Sequence, residues 1–328
     1  APRDIVWVHT AMHGVGSATV RAVAQAVGLQ AAHEVAAQAE HDADLPTVDF
    51  PNPEEKGAID LAVDLAAEKG ADVVIANDPD ADRCAVAAVV EGQWRMLTGD
   101  ELGSLLGDDA IRRGVPGRFA NSVVSSTELG RMARAAGREH VTTLTGFKWI
   151  GRVQDLAFGY EEAIGYCCDS RAVPDKDGIT AALTVLRIVA ELKAEGRTLA
   201  DRLADISRTH GLTATSQLSV RVADLSLIAD AMARLRANPP ATLLGEPVVV
   251  TDLAEGSGSL PPTDAVELTG ASVHVVARPS GTEPKLKCYL EVRLGVDESQ
   301  DVPAARAQAA EKLVTLRREM AEALGVDA

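Results

Sequence analysis

The chain has 328 residues, 46% of them hydrophobic and only 3% aromatic, with a formal net charge of −16. That length allows two or three domains with cores built from Ala, Val, Leu and Ile, and that composition excludes a disordered chain. The negative charge argues against nucleic-acid and membrane-surface partners, which want basic patches, but leaves room for a local anion site, because charges beyond about 8 Å are screened at physiological salt.

Strand and helix patterns alternate through the first third. Ile5–Val8 reads as a short apolar strand. Gly14, Gly16 and Ser17 form a turn, with Ser17 a suitable N-cap for a helix whose face is Val20, Val23, Ala24 and Val27 and which Gly28 stops. A second helix is expected from Asn52-Pro53-Glu54-Glu55 to Gly70, since Pro suits the first helical position and acids suit the positive helix end. Val73–Ala76 is a buried strand that runs into an acidic loop. Cys84–Val90 and Gln93–Leu97 make a hairpin around Glu91-Gly92.

The pattern restarts after Pro116-Gly117. Strands are expected at Phe119–Val124, Val141–Leu144 and Ala157–Tyr160, and helices at Thr127–Ala136, Gly178–Ala194 and Thr198–Thr209. From about Leu218 the character changes. A helix over Leu225–Ala237 is followed by Pro239-Pro240, a Gly/Ser/Pro loop over Gly256–Pro262, strands at Val273–Ala277 and Leu286–Val292, and a last helix over Ala304–Leu324. In the second of those strands Leu286, Cys288, Leu290 and Val292 alternate with polar residues, the pattern of a half-buried antiparallel strand. The fold class is α/β, with two α/β domains over residues 1–116 and 117–213 and a smaller α+β domain over residues 214–328.

Five segments carry chemistry. Asn77-Asp78-Pro79-Asp80-Ala81-Asp82-Arg83 sets three carboxylates two residues apart just after a core strand, and Pro79 prevents ordinary pairing, so the loop folds on itself. Three anions so close repel one another unless a cation lies among them, and a hard divalent ion with oxygen ligands suits Asp78, Asp80 and Asp82, leaving Arg83 to hold a phosphate oxygen. An EF-hand fails, because its sixth and twelfth positions would be Arg83 and Val89. A phosphatase with an Asp nucleophile stays open, with Asp108-Asp109 as the further acidic pair it would need. Arg278-Pro279-Ser280-Gly281-Thr282-Glu283-Pro284 offers a guanidinium fork, two hydroxyls and close backbone approach, which together cradle a phosphate; the plainer alternative is a hairpin turn. In the loop Gly146-Phe147-Lys148-Trp149-Ile150-Gly151, Lys148 is a general acid/base, a phosphate contact or a surface lysine. Gly159-Tyr160-Glu161-Glu162-Ala163-Ile164-Gly165 places acids able to accept hydrogen bonds from sugar hydroxyls. Asp175-Lys176-Asp177-Gly178 opens a helix, and Lys176 has the length to reach a phosphate. His9 and His13 read as structural, and Cys84 as core packing.

Cys84, Cys167, Cys168 and Cys288 form no C-x-x-C pair, so reduced thiols and a cytoplasmic location are expected. No apolar run reaches the length of a membrane span, and no signal peptide is visible. The chain lacks an initiator Met and enters a strand almost at once, which reads as a start inside a larger protein.

In this order the motifs resemble the α-D-phosphohexomutase superfamily, including Met12-His13-Gly14-Val15-Gly16. The wording of the Asp loop and of Glu161-Glu162-Ala163-Ile164-Gly165 looks most like its phosphoglucomutase/phosphopentomutase branch. The resemblance covers the family's domains two to four. It implies three-layer α/β domains with mixed sheets ahead of the α+β domain, and phosphoryl transfer between positions of a sugar through a phosphoserine and a sugar bisphosphate intermediate. It further implies that Asp78, Asp80 and Asp82 bind Mg²⁺, that Arg83 lies at the reaction centre and that Lys148 assists proton transfer. Glu161 would bind sugar hydroxyls, and Arg278, Ser280, Gly281 and Thr282 the non-reacting phosphate. Glucose, mannose and pentose phosphates are the implied ligands. Ala163 stands where many hexose-specific members have Ser, which admits a pentose phosphate as the alternative to a hexose phosphate. No Thr-x-Ser-His-Asn-Pro-like segment exists in the chain. The phosphoserine domain is therefore expected to be missing, and the chain alone to bind without turnover. A non-catalytic sugar-phosphate binding module would behave in the same way.

Overall fold

The computed structural model describes residues 4–48, 50–222, 224–281, 283–296 and 301–327. They group into two compact units. The first comprises Ala1–Ser122, Leu129–Val141 and Gly146–Asp205, and the second Val123–Glu128, Thr142–Thr145 and Ile206–Ala328.

The first unit is built on two mixed sheets. One contains β1 (Trp7–Thr10), β2 (His33–Glu34), β3 (Val73–Ala76), β4 (Ala85–Val90) and β5 (Gln93–Met96) in the order β2-β1-β3-β4-β5. Strands β1, β2 and β3 are parallel, β4 is antiparallel to β3, and β5 is antiparallel to β4. Every residue of β1 and β3 is buried; β3 reads as an unbroken apolar run, while β1 also buries the polar His9 and Thr10. The hairpin turn falls at Glu91 and Gly92, with φ 54° and 80°, the two positive values that a tight turn between twisted strands requires.

Two helices of this sheet depart from the pattern expected of them. Helix α1 (Gly16–Ala26) begins one residue before Ser17, with Val15 at its cap position. Ser17 is drawn inside the first turn and its buried hydroxyl has no partner among the described residues, so it caps nothing. Helix α2 (Asp60–Lys69) starts well after Asn52. There Asn52 closes a local turn by accepting from the Glu54 N–H at 3.1 Å, and Gly57 adopts φ 83°, which no right-handed helix can pass through. Gly70, at φ 60°, ends α2 as expected.

The second mixed sheet has the order β7-β6-β8-β9, from β6 (Arg118–Ser122), β7 (His140–Thr143), β8 (Leu156–Glu161) and β9 (Gly165–Cys167). Helices α3 (Gly99–Arg112), α4 (Glu128–Ala135), α5 (Phe147–Ile150), α6 (Gly178–Ala194) and α7 (Leu199–His210) accompany it. Thr98 caps α3 in a reciprocal box with Glu101.

The second unit holds the five-stranded antiparallel sheet β10 (Leu212–Arg221), β16 (Lys285–Leu294), β15 (Val273–Pro279), β14 (Val266–Thr269) and β13 (Val249–Asp252), in that order. A two-stranded ribbon, β11 (Thr242–Leu243) and β12 (Glu246–Pro247), lies between helix α8 (Ser226–Ala237) and β13 in the chain. Helices α8 and α9 (Val302–Leu324) cover one face through Ile228, Met232, Leu235, Leu316 and Met320. Strand β16 is not half-buried. Leu286, Cys288, Leu290 and Val292 face that core, but Tyr289 and Glu291 are 9% and 3% exposed on the other side. Tyr289 packs with Val123, Val124, Leu253, Leu260 and Val276, while the Glu291 carboxylate accepts from the Thr127 N–H at 2.7 Å and from its hydroxyl at 2.5 Å. Segments from far away in the sequence thus cover the face that alternation alone assigns to water.

No helix among the described residues is long and apolar enough to cross a membrane. All four cysteines are free thiols.

Candidate active site

The acidic loop joins β3 to β4 and folds on itself. The Asn77 N–H donates to Thr10 O at 3.0 Å, Ala81 N–H to Asp78 O at 2.9 Å, and Arg83 N–H to Asp78 Oδ1 at 3.0 Å. The Asn77 amide closes the ring by donating to Arg83 O at 2.7 Å, and Ala81 takes φ 59° to complete the turn. Asp78, Asp80 and Asp82 consequently converge, each offering an oxygen within 4.8 Å of the others.

The turn after β1 supports this loop from below. The Val15 N–H donates to Pro79 O at 2.8 Å, and a Cβ on Gly14 would lie 2.2 Å from Pro79 Cα, so only glycine allows this approach. Met12 and His13 have φ of 49° and 62° to shape the turn. His9 Nε2 and Asn77 Oδ1 share a hydrogen bond of 3.0 Å, and burial holds the His9 ring below its ordinary pKa. His13 bonds Thr47 at 2.8 Å. His9 thus buttresses the loop directly, while His13 ties the supporting turn to Thr47.

Burial raises the Asp78 carboxyl to about 7, helped by a hydrogen bond shared with Asp80 and by the charges of Asp80 and Asp82, against the Arg83 N–H bond. An all-carboxylate donor set under this mutual repulsion fits a hard divalent cation and offers nothing to a softer metal. Arg83 adds an orphaned donor. Its Nε is buried without a hydrogen-bond partner among the described residues, 3.7 Å from Asp78 Oδ2 and 3.9 Å from Asp82 Oδ1. The Lys176 ammonium rests on Asp82 Oδ2. A pocket of about 310 Å³ opens here, lined by Asp80, Asp82 and Lys176 with Gly16 and Thr19.

Glu161 ends β8, and its Oε1 accepts the Gly146 N–H at 2.5 Å. Burial raises its carboxyl above the usual range, opposed by that bond and by the charges of Lys176 and Arg83, so Glu161 lies in the field of the same two cations. Glu162 is engaged differently, accepting from the Ser122 hydroxyl at 3.3 Å. Lys148 is not in an open loop. It belongs to the helical turn α5, with an exposed side chain whose ammonium is 5.6 Å from the centre of the Trp149 ring. The Gly146 N–H that starts this turn is the one bound to Glu161, which links Lys148 to the sugar-ligand candidate. Asp108 and Asp109 are spoken for. Arg202 holds Asp108 through two nitrogens at 2.5–2.7 Å, and Arg187 holds Asp109, so neither is a spare acid for phosphatase chemistry. Burial pushes the Cys84 thiol well up, in keeping with core packing.

Arg278, Ser280 and Gly281 belong to the second unit, where β15 turns into β16. Ser280 N–H donates to Lys285 O at 2.8 Å, and Glu283 is held by Lys285 and Arg221 at 3.0 and 3.2 Å. Thr282 lies outside the described residues.

Residues 1–90 match the sequence description "Phosphoglucomutase/phosphomannomutase, alpha/beta/alpha domain II", residues 98–209 that of domain III, and residues 218–325 that of the C-terminal domain. The chain belongs to the phosphoglucomutase/phosphomannomutase family. A probable phosphomannomutase of Haemophilus influenzae is 45% identical over 294 residues, covering 88% of this chain and 60% of the relative. The human phosphopentomutase is 35% identical over 326 residues, covering 88% of this chain and 53% of the relative. Among solved structures, the open form of the parafusin phosphoglucomutase from Paramecium superposes with a TM-score of 0.75 at 20% identity, covering 99% of this chain and 59% of that one, a likeness of fold. The chain therefore spans little more than half the length of the relatives it matches.

Within the family's framework, two supporting residues escaped the sequence reading. Asn77 ties both ends of the acidic loop, and Gly178 lets the Lys176 segment dock on it. Asn77 directly precedes the first Asp and Gly178 closes an Asp-Lys-Asp-Gly run, so each had a positional signal, but neither carries charge to draw attention to it.

Proposed function

We propose that this chain supplies the metal-binding and substrate-gripping part of a sugar-phosphate mutase, an enzyme that moves phosphate between positions of one sugar through a bisphosphate intermediate. The observation that carries the reading is the convergence of Asp78, Asp80 and Asp82 beside the unpartnered Arg83 Nε, with Glu161 in the field of Arg83 and Lys176. In this reading the three aspartates hold Mg²⁺, which when bound neutralises charge on the phosphoryl group in transit. Arg83 donates to a phosphoryl oxygen, Glu161 accepts from sugar hydroxyls, and Lys148 moves a proton to or from the reacting oxygen. Arg278, Ser280, Gly281 and Thr282 hold the phosphate that does not react. For this Arg278 has a free guanidinium, with no ion pair or hydrogen bond among the described residues, beside Gly281.

The nucleophile of such a reaction is a phosphoserine, and these 328 residues contain no segment of the kind that carries it. The chain alone is expected to bind metal and sugar bisphosphate without turnover. Hexose phosphates are one substrate class. Ala163, which presents a methyl where a serine would touch the sugar, favours a pentose phosphate as the second, and the human relative's name, phosphopentomutase, agrees with it. Free thiols and the lack of a spanning helix among the described residues suit a cytoplasmic enzyme.

Titration of the 328-residue chain with Mn²⁺ or Mg²⁺ by calorimetry tests the metal assignment. Asp80→Asn is expected to weaken binding by about tenfold or more, since it removes one of three charged ligands. Undiminished affinity would remove the aspartates from the metal site. Robust interconversion of glucose 1- and 6-phosphates by the homogeneous chain would overturn the assignment of the nucleophile to a phosphoserine outside it.

A further inference from the structure

One cation already sits on the acidic loop. The Lys176 ammonium contacts Asp82 Oδ2, and the backbone is arranged to keep it there. Between β9 and α6, Asp177 N–H donates to Tyr166 O at 2.9 Å and Gly178 N–H to Ala81 O at 3.1 Å, inside the Asp loop itself. The approach at Gly178 is so close that a Cβ would lie 2.2 Å from Arg83 O and 2.6 Å from Asn77 Nδ2. The stem of Lys176 runs over Gly165, where a Cβ would come within 2.6 Å of Lys176 Cδ. With the backbone bonded to the loop and the stem pressed against a strand, the side chain is only 21% exposed. It loses less entropy in pairing than an ordinary surface lysine does.

We propose that Lys176 is a built-in counter-cation that competes with the divalent ion for Asp82 and so sets the affinity of the loop for metal; this rests on the metal-site reading above. Three carboxylates within 4.8 Å of one another cannot all stay charged without compensation, and Arg83 and Lys176 supply two unit charges. A divalent ion that takes Asp82 through Oδ2 must displace the ammonium, so metal binding through that oxygen is an exchange of cations. The exchange weakens binding but keeps the metal-free loop folded. It also sets Lys176 free beside the pocket that Asp80 and Asp82 line, with its charge available to a phosphate. Lys176 is thus a positioning residue for the metal before it is a ligand for substrate.

Mn²⁺ binding to the full 328-residue chain, followed by electron paramagnetic resonance, tests this with Lys176→Met, Lys176→Gln and Asp80→Asn. Both neutral replacements are expected to tighten Mn²⁺ by about three- to tenfold, the range of a partly buried ion pair. They should also melt at a lower temperature than wild type in chelator and gain more from added Mn²⁺. Lys176→Gln retains most of the stem over Gly165 and serves if the Met variant folds poorly. Unchanged or weaker Mn²⁺ binding in a folded neutral variant, with Asp80→Asn still deficient, overturns the competition while leaving the metal site standing. Wild-type binding by Asp80→Asn overturns the metal site itself.

Discussion

Burial does opposite things to the two kinds of ionisable group in the first unit. It raises the carboxyls of Asp78 and Glu161 and lowers the imidazole of His140 to about 4, with the Arg134 charge as the lesser cause. His140 bonds Asn121 at 2.8 Å and stays neutral in the fold. Below about 6.5, its value in the unfolded chain, the unfolded state takes up a proton that the folded state refuses. Its contribution is therefore complete above pH 6.5 and is lost as pH falls towards 4. The loss reaches at most about 3 kcal/mol, less for the part of the ring that stays in water. His140→Gln should flatten the pH dependence of urea stability between pH 6.5 and 4.5; parallel curves for the two proteins would assign that dependence to other groups. At this scale the sequence was informative about the aspartates, because their spacing is local and a hairpin return forces them together. It was silent on the Lys176–Asp82 pair, whose members are 94 residues apart and meet only through tertiary packing.

Among the elements, α6 matched its expected range at both ends, because Asp177 caps it by accepting from the Ile179 N–H at 3.0 Å and its apolar face is continuous. The start of α2 was misplaced because Asn52-Pro53-Glu54-Glu55 has the chemistry of a helix start, and only the backbone at Gly57 shows that the chain turns away. Strand β10 was missed because Ser216 interrupts the alternation of Leu212, Ala214, Leu218 and Val220 with polar residues, yet it pairs with β16 along its whole length. The junction of α6 with the acidic loop lends itself to a direct test. Gly178→Ala puts a methyl against the Arg83 carbonyl, and either the loop or the helix must shift. We expect a loss of about 1–3 kcal/mol in urea unfolding, the usual cost of overpacking, together with weakened Mn²⁺ binding. A stable variant with unaltered metal affinity would show that the two segments move apart freely.

On the scale of the molecule, the proposed metal ligands and the proposed phosphate loop belong to different compact units. Their contributions to binding should therefore separate. Arg278→Ala is expected to weaken glucose 1,6-bisphosphate binding by about tenfold or more, the effect of losing a charge-assisted hydrogen bond, while leaving the Mn²⁺ affinity of the chain unchanged. A joint loss of both would mean that the arginine supports the whole fold and not the ligand alone. The broad architecture was legible in advance because patterns of two and of 3.6 residues mark the strands and helices. The grouping of residues into units was not, because short loops after β6 and β7 join the second unit.

That grouping limits how the protein can be taken apart. The polypeptide passes from one unit to the other five times, so neither unit is a continuous stretch of sequence. A fragment cut at Ile206 would leave behind Val123 and Val124, which cover Tyr289, and Thr127, which satisfies the carboxylate of Glu291. A C-terminal module transplanted between relatives would therefore arrive with a bare apolar patch and a stranded acid, unless the six residues Val123–Glu128 were matched to it.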